Sequence, residues 1–257
     1  MRIAVVGATG AAGRPIAAEL ERRGHEVRRL SRGSAEHPVD LLSGRGLDAA
    51  LEACEAVVDA SNAGPARGAA RGLLVEGGGR LLAAGERAGV GHHVCLSIVG
   101  IERVPLGYYQ VKVEQERVVC ESNVPHSIVR ATQFHGLIAG AFAALGRFRI
   151  LPRLEAPLQP IDPAEVARVV AAVAEGGPQE MTSVAGPEIS TVSELARAWR
   201  ERTATRAALV PVPAVGAAGR ALRAGALTDP APEHRGTATF EEWLAQHADE
   251  APGGQSV

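Results

Sequence analysis

Short apolar runs alternate with segments whose apolar residues recur every three or four positions through the first half of the chain. The runs are residues 2–6 (RIAVV), 26–30 (EVRRL), 56–60 (AVVDA), 93–97 (HVCLS) and 126–130 (HSIVR), and each predicts a strand. Between them, residues 12–24, 46–54, 78–90 and 110–122 predict helices. Strands that are apolar along their length and alternate with helices imply a parallel sheet covered on both faces. The triplet Gly77, Gly78, Gly79 predicts a helix boundary, since three glycines inside a helix cost about 3 kcal/mol.

After residue 146 the pattern changes. "RFRILPRLEAPLQPIDP" is proline-punctuated and reads as irregular. "DPAEVARVVAAVAEG" then predicts a helix, with Asp162 as cap and Pro163 at its first position. Its apolar face, over 164–174, reads as core. "QEMTSVAGP" predicts a further strand, and Thr191-x-x-Glu194 in "STVSELARAWRERT" is a capping box that opens another helix. "TFEEWLAQH" predicts a last amphipathic helix, and the tail 251–257 is expected to be disordered. The domain boundaries that follow are a nucleotide-binding domain over 1–150 and a smaller α/β lobe over 151–250.

Composition narrows the function. Apolar content of 46% and charge of 22% support a large core, built from aliphatic residues because aromatics are only 3%. A net charge of −2 supplies no basic field for nucleic acid or an anionic membrane. Cys54, Cys95 and Cys120 lack any paired spacing, which argues for buried thiols in a reducing compartment and against disulfides or zinc. The chain enters a strand directly and its longest uncharged stretch, "ATQFHGLIAGAFAALG", is too short to span a bilayer. A soluble cytoplasmic protein acting on a small molecule is expected.

"VVGATGAAGRP" joins the first strand to the first helix. Gly7, Gly10 and Gly13 form G-x-x-G-x-x-G, a variant of the dinucleotide fingerprint. A sharp turn must bring bare backbone against a pyrophosphate, and the helix N-terminus supplies unpaired N–H groups with a partial positive charge. Thr9, Ala11, Ala12 and Arg14 lie in the same turn and first helical residues. An NAD site places an acidic residue about 20 residues further on. Here that place holds Ser31 and Arg32, a hydroxyl and a guanidinium that suit a 2′-phosphate, so NADP(H) is favoured over NAD(H). Arg32 as one more solvated arginine is the alternative. Asp40 and Leu41, closing the next short segment, are candidates for the adenine amino group. Ala60, Ser61 and Asn62 end the following strand, at the edge where open α/β sheets bind ligands. Each of these positions also suits ordinary loop capping.

"GYYQVK" holds both tyrosines of the chain, Tyr108 and Tyr109, and Lys112, its only lysine among 27 Lys and Arg. Together with the glycine turn, "LSR", "LSIVG" and "VRATQFH", it resembles an atypical member of the short-chain dehydrogenase/reductase superfamily, of the NmrA-like NAD(P)-binding group. The resemblance covers most of the chain and is strongest over 1–140. It implies an α/β fold, a Rossmann-type doubly wound parallel sheet with a small C-terminal substrate lobe. It also implies catalysis by Tyr108-x-x-x-Lys112, with Ser97 polarising the carbonyl. Residues four apart share a helix face, and a fixed cation would draw a phenol down from its ordinary value near 10. Lys112 would also hold ribose hydroxyls. Tyr109 is a second candidate for the proton donor. Ser97 precedes Tyr108 by 11 residues, fewer than the family's usual separation, and many NmrA-like relatives lack the tyrosine.

Gln133, Phe134 and His135 follow the strand at 126–130 and are candidates to line the substrate pocket. For His135 a structural role is at least as strong a reading as acid–base work. His92 and His93 read as caps of a strand. No cluster has metal-ligand spacing. The function expected is an NADPH-dependent oxidoreductase reducing a small, largely apolar carbonyl or quinone. The alternatives are an NADP(H)-sensing regulator without turnover and a cofactor-retaining isomerase or epimerase.

Overall fold

The structure, a computed structural model, describes residues 1–64 and 66–247; the expected tail at 251–257 lies outside the described residues. Its strands are β1 (Arg2–Val6), β2 (Glu26–Leu30), β3 (Ala56–Asp59), β4 (His92–Ile98), β5 (His126–Ala131), β6 (Ile150–Arg153), β7 (Pro157–Leu158), β8 (Met181–Ala185), β9 (Ser190–Thr191), β10 (Ala208–Pro211) and β11 (His234–Arg235). Seven of them form one sheet in the order β11-β8-β5-β4-β3-β1-β2. β1 lies inside the sheet, next to the edge strand β2: Val5 pairs in parallel with Arg29 on one side and with Val58 on the other. Ile3, Ala4 and Val5 are wholly buried, as a strand covered on both faces requires. This is the α/β fold expected from the alternating runs.

The chain divides into two compact units. The first comprises Met1–Ser97, Gly107–Arg130 and Pro163–Thr182; the second comprises Ile98–Leu106, Ala131–Asp162 and the chain from Ser183 onward. β5 and β8 each run from one unit into the other.

In the first unit, α1 (Gly13–Arg22) buries Ile16, Ala17 and Leu20 and packs on α7 (Pro163–Gly176). α2 (Leu47–Leu51) lies against α4 (Gly78–Ala88). α5 (Gly107–Cys120) carries Val119 into the aliphatic cluster of Val6, Leu30, Leu51, Val57, Leu81 and Ile128. Glu116 on α5 is held by both arms of Arg130, at 2.6 and 2.9 Å.

The glycine triplet does not mark a boundary. The helix starts at Arg67 as α3 (Arg67–Ala70), loosens into a π-helical segment, Arg71–Gly77, and continues through the glycines as α4. Close approach explains the glycine at position 77: a Cβ there would stand 3.0 Å from the Leu41 Cβ and 3.2 Å from its carbonyl oxygen.

In the second unit, α6 (His135–Gly146), α8 (Val192–Arg202) and α10 (Phe240–Gln246) enclose a core of Ile138, Phe142, Leu151, Leu195, Trp199 and Phe240. The expected capping box of α8 is present, with Thr191 Oγ1 accepting from the Glu194 N–H at 3.2 Å. The stretch read as irregular holds two short strands. β6 pairs with β10 in parallel, and β7 with β9 antiparallel. Pro152 and Pro211 sit in these two-stranded ribbons, where a strand has a free edge and loses no ladder bond to a missing N–H. The alternation is too short there to be read from the sequence. α9 (Gly216–Arg223) was likewise not anticipated.

Gly78 has helical dihedrals and open space where a Cβ would stand. Gly78→Ala is therefore expected to stabilise the protein by about 0.5–1 kcal/mol through the unfolded chain, whereas Gly77→Ala should destabilise it. Urea unfolding of the two variants checks the opposite signs.

Candidate active site

The strand order reverses at β1. From β1 the chain crosses to β2 on one side and later returns to place β3 on the other, which opens a crevice beyond the carboxyl ends of β1 and β3. The glycine turn stands at that crevice. Gly7 has φ +72°, and a Cβ on it would lie 2.7 Å from the Ala60 carbonyl oxygen. On Gly13 a Cβ would lie 2.1 Å from the Gly7 carbonyl oxygen. The first turn of α1 is thus seated directly on the backbone of the loop, as only glycine permits. Gly10 N–H donates to Gly7 O at 2.9 Å and closes the turn. Among the described residues, no acceptor is found for the N–H groups of Thr9, Ala11, Ala12 and Gly13. A bare-backbone cradle with unspent donors at a helix N-terminus fits a dinucleotide pyrophosphate.

Ser31 and Arg32 directly follow β2, and Arg32 is exposed. Arg14 is exposed too, its guanidinium donating to Thr9 O at 3.3 Å. Asp40 is committed locally: one carboxylate oxygen accepts from the Leu42 N–H at 3.1 Å and the other from Ser43 Oγ at 2.7 Å. The Ser43 hydroxyl, followed by that N–H, holds its carboxyl below the usual range. Leu41 is a core residue. Ala60 hydrogen-bonds to Val6 O and walls the glycine turn. Ser61 is buried, and its hydroxyl meets no partner among the described residues.

Lys112 is 3% exposed, on the buried face of α5. Its Nζ donates to Leu96 O at 2.9 Å and to Gln115 Oε1 at 2.6 Å. Gln115 Nε2 donates in turn to Asp59 Oδ2 at 3.2 Å, and the other Asp59 oxygen accepts from the Ser61 N–H at 2.9 Å. Asp59 and Gln115 are each 1% exposed. Neither was singled out from the sequence. An acidic residue closing the apolar run "EAVVD" was the available signal, since a buried carboxylate needs partners. Gln115 carries no such mark.

Tyr108 is half-buried at the start of α5, and its hydroxyl donates to Asn62 Oδ1 at 2.5 Å. Asn62 Oδ1 also accepts from the Ala63 N–H at 2.9 Å. Tyr109 stands edge-on to Tyr108, with centroids 5.8 Å apart. No pull of Lys112 on the phenol stands among the causes that set Tyr108 here. Burial, with a smaller push from Tyr109, raises Tyr108 to about 12. The lysine head is bonded to Leu96 and Gln115, and Tyr108 to Asn62. Ser97, which follows Leu96, is 2% exposed with no partner for its hydroxyl among the described residues. An unmet buried hydroxyl costs on the order of 1–3 kcal/mol, and a bound ligand would relieve it.

Gln133, Phe134 and His135 belong to the second unit. Gln133 donates to Leu227 O at 2.9 Å and accepts from the Gln159 N–H at 3.1 Å. His135 is wholly buried, bonded to Ala238 O at 3.1 Å and set beside the stacked rings of Phe240 and Trp243. His135 is thus placed as a core residue, whereas Gln133 and Phe134 are half-buried. Phe134 caps α6 with extended backbone. His92 and His93 are not strand caps but buried members of β4, with His92 bonded to Ser127 Oγ. Cys54 and Cys95 are buried, whereas Cys120, at the last residue of α5, is exposed. Among the described residues, no cluster suits a metal ion, and no helix is long and apolar enough to cross a membrane.

The pattern of a family described as NAD(P)H-binding matches residues 7–176, more than half the chain. The chain belongs to the NAD(P)H-binding family. No curated protein matches the sequence. Among solved structures, an NADPH-dependent quinone oxidoreductase from Escherichia coli, complexed with NADPH, is similar over 95% of this chain and 99% of its own, at 16% identity and TM-score 0.79. A nucleoside-diphosphate-sugar epimerase from Staphylococcus aureus covers the same shares at 17% identity and TM-score 0.76. A short-chain dehydrogenase/reductase superfamily protein from Agrobacterium tumefaciens, with bound NAD, is similar over 97% of this chain and 96% of its own, at 19% identity and TM-score 0.74. At such identities the likeness is one of fold. It agrees with the superfamily resemblance carried by the motifs.

Gly13→Ala would drive a methyl into the Gly7 carbonyl. It is expected to lower NAD(P)H affinity at least tenfold and to cost about 1–3 kcal/mol of stability. Calorimetric titration and thermal unfolding measure the two effects.

Proposed function

We propose that this protein is an NADPH-dependent reductase of a small, largely apolar carbonyl or quinone. One observation carries the reading. Lys112 is fastened to the Leu96 carbonyl, so the Tyr-x-x-x-Lys helix is tied to the strand end that bears the orphan Ser97 hydroxyl.

The glycine turn, through the N–H groups of Thr9, Ala11, Ala12 and Gly13, would hold the pyrophosphate. Ser31, Arg32 and Arg14 would take the 2′-phosphate, with Ala60, Ser61 and Asn62 along the crevice wall. Two of the three Lys112 donors are in use, which leaves one for a ribose hydroxyl. When bound, the nicotinamide supplies a hydride. Ser97 donates a hydrogen bond to the substrate oxygen and stabilises charge as it develops there. Tyr108 then gives that oxygen a proton. A phenol near 12 stays protonated through the neutral range, which is the form reduction needs. The preference for NADPH rests on Ser31 and Arg32, in place of a carboxylate, directly at the end of β2, and on the exposure of the Arg32 guanidinium.

NADPH oxidation against a panel of quinones, aldehydes and cyclic ketones tests the reading. Tyr108→Phe is expected to lower kcat by roughly 100-fold or more with little change in NADPH affinity. Full turnover in that variant removes the assigned proton donor, and tight NADPH binding with no turnover on any substrate favours the sensing regulator. Arg32→Ala should weaken NADPH at least tenfold and NADH little; equal losses contradict the 2′-phosphate assignment.

A further inference from the structure

We propose that the outer face of the β6–β10 ribbon, with the exposed stripe of α6 that leads into it, is a docking surface for an anionic phospholipid bilayer. The face lies wholly within the second unit. Only its advantage, access to an apolar substrate dissolved in lipid, rests on the reductase reading; its test does not.

The register of the ribbon fixes the face. Ile150 pairs with Ala208 and Pro152 with Val210, so these four side chains stand on one side. Leu151 and Leu209 point the other way, into the core of Phe142, Leu195 and Trp199. Ile150 and Val210 are exposed, as is Val212, two residues further on. Along α6 and the turn after it, Leu137, Ala141, Leu145 and Phe148 recur at the spacing of one helix face. All four are exposed, Phe148 to 73%. Seven of the thirteen exposed large apolar side chains fall within 137–150 and 210–215. Exposed apolar residues are ordinarily scattered, and such a concentration marks an interaction surface.

Charge selects the partner. Residues 131–154 and 203–228, which carry these elements, hold six arginines and no carboxylate. The net charge of −2 thus conceals a local basic surface. Arg147, Arg149 and Arg206 precede the paired residues of the ribbon, and Arg153 stands at its far end. All four are exposed, and none joins an ion pair among the described residues. A second copy would set arginine against arginine, because a two-fold contact puts the same patch on both sides.

An added protein strand is blocked as well. Ala208 and Val212 turn their N–H groups inward, to the Arg149 and Arg153 carbonyls at 2.9 and 3.1 Å. Pro211 and Pro213 therefore fall on the outward edge, where they remove the donors that a new strand would need. The four face residues also offer no hydroxyl or amide for a specific protein contact. Aliphatic side chains flanked by guanidinium groups suit lipid tails beneath a layer of phosphates, and this seating requires no spanning helix.

Co-sedimentation of the full chain with vesicles tests the proposal. The protein should pellet with phosphatidylcholine vesicles that contain phosphatidylglycerol. With phosphatidylcholine alone, or at high salt, binding should fall roughly tenfold or more. Replacing Phe148→Ser together with Val210→Ser should weaken binding to the anionic vesicles roughly tenfold. The pair Arg147→Gln, Arg153→Gln should weaken it by roughly 10- to 30-fold. The pair Arg87→Gln, Arg117→Gln, which removes equal charge from the first unit, should leave it unchanged. Thermal unfolding confirms that these exposed substitutions keep the fold.

Protein that stays in the supernatant with anionic vesicles overturns the proposal. So does binding that survives both pairs of ribbon variants, or that falls equally in the first-unit pair. A dimer in light scattering that Phe148→Ser, Val210→Ser dissolves would assign the face to a second copy instead. Vesicle binding is scored without dinucleotide or substrate. Failed NADPH turnover would thus sink the reductase reading alone, and absent vesicle binding the docking surface alone.

Discussion

Backbone contact without side chains is the constraint on which the nucleotide site depends. The loop after β1 must bend back under the start of α1, and two glycines let it do so. Gly13 rests on the carbonyl of Gly7, and Gly7 on that of Ala60, at separations that leave no room for a methyl group. Because β1 is pinned between β2 and β3, the loop has nowhere else to go. The same contact keeps a row of N–H groups turned away from protein acceptors. Such donors are costly to leave unmet unless water or an anion takes them.

A second constraint meets this one at the neighbouring strand ends. Lys112 is buried in a chain that otherwise uses arginine for its side-chain cations, and a buried cation requires matched partners. The protein supplies a carbonyl, an amide and, beyond the amide, a carboxylate. An arginine would not fit this slot readily, because a planar fork needs acceptors spread over a wider arc. The lysine thus ties α5 to β4 while Tyr108 looks elsewhere, to Asn62. The motif's two residues thus have separate partners, the Leu96 carbonyl for one and the Asn62 amide for the other.

Much of the first unit was legible because its signals are local. Strands buried on both faces must be apolar throughout, so RIAVV, AVVDA and HVCLS announced themselves. Pro163 at the first position of α7 and the Thr191–Glu194 box of α8 were readable for the same reason. The glycine triplet misled, because propensity favours a break while packing against Leu41 demands glycine inside the helix. The short ribbons of the second unit escaped notice, since two to four paired residues leave almost no period to detect.

Sequence alone determined the alternating architecture and the glycine turn, because spacing along a helix or strand sets which residues share a face; the Tyr, Lys and Ser to be considered came from the superfamily resemblance of its motifs. Only the tertiary structure decided where their polar heads point. Asp59 and Gln115 are separated by 56 residues, and no local pattern records that their side chains meet. That contact ties the lysine head, through Gln115, to the end of β3.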